Sequence, residues 1–142
     1  MKSFKTFLAA VVTSICLDFT WIGYVMSDFY KTELHSLLKL KADGNLDPTP
    51  WAAGLIYVLI PLGVVAFVLP RASQGLWSRL GWGFLFGVVL YGVYDFTNYS
   101  LLKEWPLRVA LVDIAWGGTL CALTSVVSGL IQSLQNPRPS NG

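Results

Sequence analysis

The fold is decided by residues 80–102, which read LGWGFLFGVVLYGVYDFTNYSLL and include a single charged side chain, Asp95. About 20 apolar residues in a helix are enough to cross roughly 30 Å of hydrocarbon. In lipid such a segment has to be helical, because its backbone groups must satisfy one another without water. The segment therefore predicts a membrane-spanning helix.

Three further apolar runs of similar length occupy about residues 7–26, 51–69 and 107–134. Lys2 and Lys5 precede the first run, as they would in a signal peptide. The apolar character continues through Val25 without an Ala-x-Ala cleavage site, so we interpret this run as a retained helix. The chain is therefore predicted to be all-α, an integral membrane four-helix bundle forming one domain over residues 1–142.

The composition supports this class of protein. Charged residues make up 13% of the chain and apolar residues 54%, whereas a soluble domain is about a quarter charged. A net charge of +2 is too small to indicate nucleic-acid binding. His35 is the one histidine, and the cysteines have no zinc-like spacing, so we expect neither a metal nor a cofactor. Membrane lipid is the expected partner.

The polar connectors differ in length. Residues 27–50 are predicted to continue the first helix or to form an interfacial helix, because apolar side chains recur there at helical spacing: Phe29, Tyr30, Leu34, Leu37 and Leu38. Residues 44–50 are predicted to form a turn and residues 71–79 a short basic loop. A tight turn at 103–106 makes the last two helices antiparallel neighbours, and residues 136–142 are expected to form a frayed polar tail.

Orientation is judged from basic residues. With both termini inside, each side of the membrane carries five Lys or Arg residues. We favour cytoplasmic termini, because the basic residues on that side lie in short segments free of acid and the first helix usually dominates.

Three aspartates fall inside the apolar runs: Asp18 in the first, Asp95 in the third and Asp113 in the fourth. Counting about 1.5 Å per residue from the nearest helix ends places each carboxylate about 10–12 Å below the same face of the membrane. The first and third helices run in one direction and the fourth runs back. The three acids are therefore predicted to lie in one layer.

Residues three or four positions away share a helix face with each aspartate and offer hydrogen-bond donors. Asp-Phe-Thr recurs at residues 18–20 and 95–97, a faint sign of a two-helix repeat. The candidate pocket residues beside the aspartates are Ser14, Thr20, Trp21, Tyr91, Asn98, Tyr99 and Trp116. Arg108 and Lys103 are candidate counter-charges, and Arg108 is expected to reach Asp95 or Asp18 across the bundle.

The aspartate layer has two interpretations. A charge at the bilayer centre costs about 2.5–3.5 kcal/mol on the lenient scale, so some of the acids should be protonated, paired with a cation or close to water. The layer is then either a pocket or a hydrogen-bond network that only joins helices. The leading hypothesis is a pocket that binds a proton or cation coupled to solute movement, or the polar end of a small lipid-like molecule.

Four helices are few for a solute pathway, so transport would require a homodimer. A second hypothesis is a membrane enzyme that modifies a lipid or isoprenoid with an aspartate as acid or base. A third is a non-catalytic accessory subunit of a membrane complex. A non-enzymatic role is favoured over catalysis, because no metal motif or covalent nucleophile is evident.

Smaller features concern packing. Gly83 and Gly87 at GxxxG spacing predict close helix packing, within the chain in preference to between chains. Trp51, Trp77 and Trp105 lie near the predicted membrane surfaces and are expected to anchor there. Cys16 and Cys121 are interpreted as small buried hydrophobic residues, with a disulfide left open.

The chain also resembles a known family. The resemblance is carried by YDFTNY at residues 94–99, KEWPL at 103–107, VDIAWG at 112–117 and LDFTW at 17–21. These segments resemble the small four-helix bacterial membrane proteins grouped as a domain of unknown function. The resemblance implies a bacterial inner-membrane protein and supplies no reaction or catalytic residue.

Overall fold

A computed structural model describes residues 2–135. The regular structure in that range is helical, apart from one isolated bridge in the connector. The elements are α1 (Lys2–Thr20) with a π-helical turn (Trp21–Val25), α2 (Ser27–Glu33), α3 (Pro50–Gly63) with a π-helical turn (Val64–Val68), α4 (Leu76–Leu101) and α5 (Leu107–Gln135). The predicted polar tail, residues 136–142, lies outside the described residues.

Four of these helical segments are long and apolar enough to cross a membrane, which confirms the predicted fold class. They are Ser3–Val25, Pro50–Val68, Leu76–Leu101 and Leu107–Gln135. The third begins four residues earlier than the predicted start at Leu80. Arg79, which we predicted to lie in a basic loop, is therefore helical, and only 4% of it is exposed.

The bundle buries several polar groups beside its apolar core and exposes many large apolar side chains. Its surface carries large apolar side chains along every candidate span, whereas its interior holds Thr6, Ser14, Asp18, Arg79, Asp95, Thr124, Ser125 and Ser128. Helix α5 is the most enclosed of the four spans. Half of its most apolar 18-residue stretch is buried, compared with 17–28% of the same stretch in the other three spans. This distribution suits a helix bundle surrounded by lipid, where polar groups must find partners inside.

Helices α4 and α5 approach each other closely because glycines line their contact. A Cβ atom added at Gly83 would lie 2.6 Å from the Cys121 carbonyl oxygen, and one added at Gly87 would overlap the carbonyl oxygen of Gly117. The GxxxG prediction is thus confirmed within the chain. The same contact occupies this face of α4, so the motif is not available to a second copy.

The long connector begins as helix, as predicted, but only as far as Glu33. Tyr30 and Leu34 then pack with Val109 at the start of α5, so the connector folds over one end of the bundle. The turn predicted at residues 44–50 forms slightly earlier. Gly44 has a φ of 77°, which favours glycine, and Leu40 and Leu46 pair across the turn.

Helix α3 passes through Pro61 without interruption and becomes π-helical after Gly63. Proline cannot donate the helical hydrogen bond, and π-helical turns are recognised sites of local distortion. A wider, π-helical turn therefore begins at Val64, three residues after Pro61.

The two cysteines are not joined by a disulfide. Cys121 is buried, as predicted, but Cys16 is exposed on the outer surface of α1. The interpretation of Cys16 as a buried residue was wrong, because the opposite face of α1, with Ser14 and Asp18, turns inward.

We expect the Gly87→Ala variant to lower the thermal unfolding midpoint in mild detergent. The new methyl group meets backbone atoms of α5, which cannot move aside without separating the helices. Overpacking of this kind typically costs about 1–3 kcal/mol. The matched control is Gly92→Ala in the same helix, where a Cβ atom meets nothing within 4 Å. Equal midpoints for the two variants would contradict the described packing.

Candidate functional site

Asp18 is 6% exposed and receives hydrogen bonds from two other helices. The indole Nε1 of Trp116 in α5 donates to Oδ1 at 3.0 Å. The hydroxyl of Tyr57 in α3 donates to Oδ2 at 3.1 Å. Because each carboxylate oxygen has its own donor, Asp18 fixes the relative positions of α1, α3 and α5 at this level.

Asp113 has a different donor, which comes from the connector. The Tyr30 hydroxyl in α2 donates a hydrogen bond to Asp113 Oδ1, and Trp21 Nε1 donates to the Tyr30 oxygen at 3.3 Å. Burial, followed by the hydrogen bond to Asp113, raises the pKa of Tyr30 above its ordinary value. The phenol therefore remains protonated and continues to act as a donor at neutral pH.

A pair of stacked indoles joins these two groups. The rings of Trp21 and Trp116 are parallel to within 4°, with centroids 4.3 Å apart. Stacked aromatic pairs add about 0.5–1.5 kcal/mol beyond their buried area. The result is one connected layer, which we call the aspartate network: Tyr57, Asp18, Trp116, Trp21, Tyr30 and Asp113.

Asp95 is completely buried, yet it is not hydrogen-bonded to this network. Among residues 2–135, neither Asp95 oxygen has a hydrogen-bond partner, and the same holds for the nearby indole Nε1 of Trp105. The Trp105 indole is a neighbour of the Asp95 carboxyl group. Asp113 is near enough to both Asp95 and Asp18 to interact electrostatically with each of them.

A cavity of about 620 Å³ lies beside the aspartate network, between α1, α3 and the connector. Asp18 and Tyr57 form part of its wall. Most of the remaining wall is apolar, contributed by Phe19, Ile22, Leu37, Leu38, Leu46, Pro48, Ala53 and Ile56. Lys31, Lys39, Asn45 and Asp47 line it on the connector side. Its size and lining are typical of small-molecule sites, which are mostly apolar with a few placed polar groups.

The other predicted pocket residues take different positions. Ser14 is buried, but its hydroxyl donates to the Val11 carbonyl one turn back. Thr20 is exposed and bonds its own helix at Cys16. The Tyr91 ring packs on Gly117, Asn98 is half-buried and Tyr99 is 48% exposed. None of these five donates a hydrogen bond to an aspartate among the described residues, whereas Trp21 and Trp116 belong to the network.

The predicted counter-charges are also placed elsewhere. Arg108 is 77% exposed and forms a salt bridge of 3.1 Å with Glu33 of α2. It therefore does not reach Asp95 or Asp18, because the connector offers an acid nearer to it at the surface. Lys103 is exposed in the turn before α5. No cation compensates the aspartates within the part of the chain that the structure describes.

Three important side chains were missed from sequence. Tyr57 lies seven residues after Pro50, which is about 10 Å along the helix and the same depth as the aspartates. Counting donors as well as acids by depth would have found it. Tyr30 and Trp105 come from connectors that fold over the bundle, and spacing within a span gives no sign of this. Trp105 turns its N–H inward, although we predicted a surface anchor.

The fold and site together define a polytopic helical membrane protein with a polar layer inside its bundle. A family model described as "Predicted membrane protein (DUF2177)" matches residues 3–130. The chain therefore belongs to the DUF2177 family of membrane proteins. Comparison with curated proteins and with solved structures gives no significant match.

Replacing Tyr30 with Phe should destabilise the bundle by about 1–3 kcal/mol, the usual cost of leaving a buried acceptor without its donor. The substitution removes one hydroxyl and leaves the ring in place. The control is Tyr24→Phe, in the π-helical turn of α1, where the residue is 75% exposed. Unfolding midpoints in detergent measure the effect, and an equal effect of both changes would show that the Tyr30–Asp113 bond adds nothing.

Proposed function

We propose that this protein binds a small amphipathic, lipid-like molecule in the cavity beside Asp18. The single observation that supports the proposal is the cavity itself. Its wall is mostly apolar, but it includes the buried carboxylate of Asp18 and the Tyr57 hydroxyl. An apolar chain would pack along the wall formed by α1, α3 and the connector, and its polar head would meet Asp18.

The chemistry of Asp18 indicates the kind of head group. An ionised carboxylate offers about four lone-pair sites, and here Trp116 and Tyr57 use one on each oxygen. The remaining sites accept further hydrogen bonds and cannot donate any. The head group should therefore carry a donor, such as an amine or a hydroxyl, and an amine would also compensate the charge.

The membrane setting belongs to the same proposal. We place the protein in a bacterial inner membrane with cytoplasmic termini, so that the connector and the cavity lie toward the outer face. The three aspartates would then lie within the membrane, on the outer side of its centre. Lys31 and Lys39 line the connector side of the cavity, where basic side chains can reach the lipid head groups.

A binding assay with matched amphiphiles tests the proposal. We expect the purified protein to bind a long-chain primary amine more tightly than a carboxylic acid of the same chain length. Asp18→Asn should weaken amine binding roughly tenfold or more, because a hydrogen bond to a charged group contributes about 1.5–3 kcal/mol. Competition against a fluorescent alkylamine, measured in detergent, gives the affinities.

Two further variants separate the cavity from the network. Asp113→Asn changes an acid of the same network that does not line the cavity, so amine binding should persist. Ala53→Phe fills the cavity from α3 without altering charge, so binding of all amphiphiles should fall. The proposal fails if Asp18→Asn and Ala53→Phe both bind the amine as the wild type does.

We also propose a second function, proton binding at Asp95, which would serve proton-coupled movement of a solute through a homodimer. The supporting observation is that Asp95 is fully buried with both oxygens unpartnered among the described residues. A buried, unpaired carboxylate is strongly disfavoured, whereas the neutral acid is not.

Infrared spectroscopy tests this second function directly. At neutral pH we expect a carbonyl-stretch band of a protonated carboxylic acid in the wild type, and its loss in Asp95→Asn. The control is Glu104→Gln, which removes an exposed acid hydrogen-bonded to Ser36 and should leave the band unchanged. A band that survives in Asp95→Asn would assign the proton elsewhere.

A further inference from the structure

Arg79 is a buried cation at the end of the bundle opposite the connector. It is the fourth residue of α4, and 4% of it is exposed. The same end contains the start of α1 and the end of α5, as the contact between Gln135 and Thr6 shows. A charged side chain so deeply enclosed normally has a counter-ion.

The guanidinium lies in a notch in α5 that fits its shape. Nη2 donates to the Ser133 hydroxyl at 2.6 Å, and Ser125 donates to the Arg79 backbone carbonyl at 3.1 Å. A Cβ atom at position 129 would lie 2.6 Å from Nε, so the absence of a side chain on Gly129 makes room for the arginine. The side chain is therefore held against the bundle and not extended into solvent.

Among residues 2–135, no acid at this end compensates the charge. Within the described range of 2–135, Arg79 forms no salt bridge, and Arg108 pairs with Glu33 at the other end. All eight acidic residues of the chain fall between Asp18 and Asp113. Along α4 the nearest acid is Asp95, sixteen residues away, or about 24 Å. Lys5 and Arg71, both exposed, add further positive charge here.

Part of the guanidinium still reaches the surface. The fully enclosed polar atoms without partners, among residues 2–135, belong to Asp95, Trp105, Thr124 and Gln135, and none belongs to Arg79. Nε and Nη1 form no hydrogen bond with a described residue. These N–H groups are thus available at the edge of the bundle, one turn from the start of α4.

We propose that Arg79 binds the phosphate of an anionic membrane phospholipid. The planar guanidinium presents its N–H groups in a fork that matches phosphate oxygens. A position one turn inside a spanning helix lies near the head-group layer, where phosphate is the abundant anion. The nearby Lys5 and Arg71 raise the local attraction, since basic residues close to an anionic surface each favour binding. This site is separate from the Asp18 cavity and does not depend on it.

The test compares lipids on the full-length protein in detergent. Thermal unfolding is followed while phosphatidylglycerol, phosphatidylcholine or inorganic phosphate is added. We expect phosphatidylglycerol to raise the midpoint more than phosphatidylcholine does. Arg79→Gln should weaken the apparent affinity for phosphatidylglycerol roughly tenfold. Lys103→Gln, which removes an exposed cation from the opposite end of the bundle, should retain that affinity.

A second variant keeps the test decisive if Arg79→Gln does not fold. Gly129→Ala retains the arginine but displaces its guanidinium from the notch, and it should also weaken the phosphatidylglycerol effect. An undiminished effect in either variant would overturn the site. An equal response to inorganic phosphate would show that the site takes free phosphate, and it would overturn the assignment to lipid.

Discussion

The hydrogen bonds to the Asp18 carboxylate hold the polar layer of this bundle together. They draw a tyrosine from α3 and a tryptophan from α5 toward one residue of α1, so three spans meet at one level. In a low-dielectric interior such bonds are strong, and a missing partner is costly. The stacked indoles of Trp21 and Trp116 then extend the layer to Tyr30 and Asp113. The cavity exists because the connector covers this layer without filling it.

Much of the fold could be predicted from sequence, because the length of an apolar run and the chemistry of lipid leave few choices. The GxxxG contact of Gly83 and Gly87 was predictable for the same reason. The partners of the acids were not. Arg108 pairs with Glu33 because the connector folds back over the bundle. The spacing of residues within a span does not predict how the connector folds. Tyr57 could have been predicted by counting hydrogen-bond donors, as well as acids, by their depth along each span.

The two ends of the molecule differ in charge and in chemistry. All acids lie in the half that contains the connector, and the opposite end is basic and acid-free among the described residues. The first half offers an apolar cavity with an acceptor inside it. The other half offers a fixed guanidinium in a notch of α5. A protein that binds lipid phosphate at Arg79 would be held at a fixed depth in the membrane. Because that site is at the opposite end, the cavity would stay available for a donor-bearing amphiphile.

The most direct measurement is an experimental density map of the protein purified in its native membrane lipid. We expect elongated density in the space between α1, α3 and residues 37–48, ending within hydrogen-bonding distance of Asp18. Density for protein side chains filling that space, with Asp18 bonded to Trp116 and Tyr57 alone, would contradict the proposed binding site.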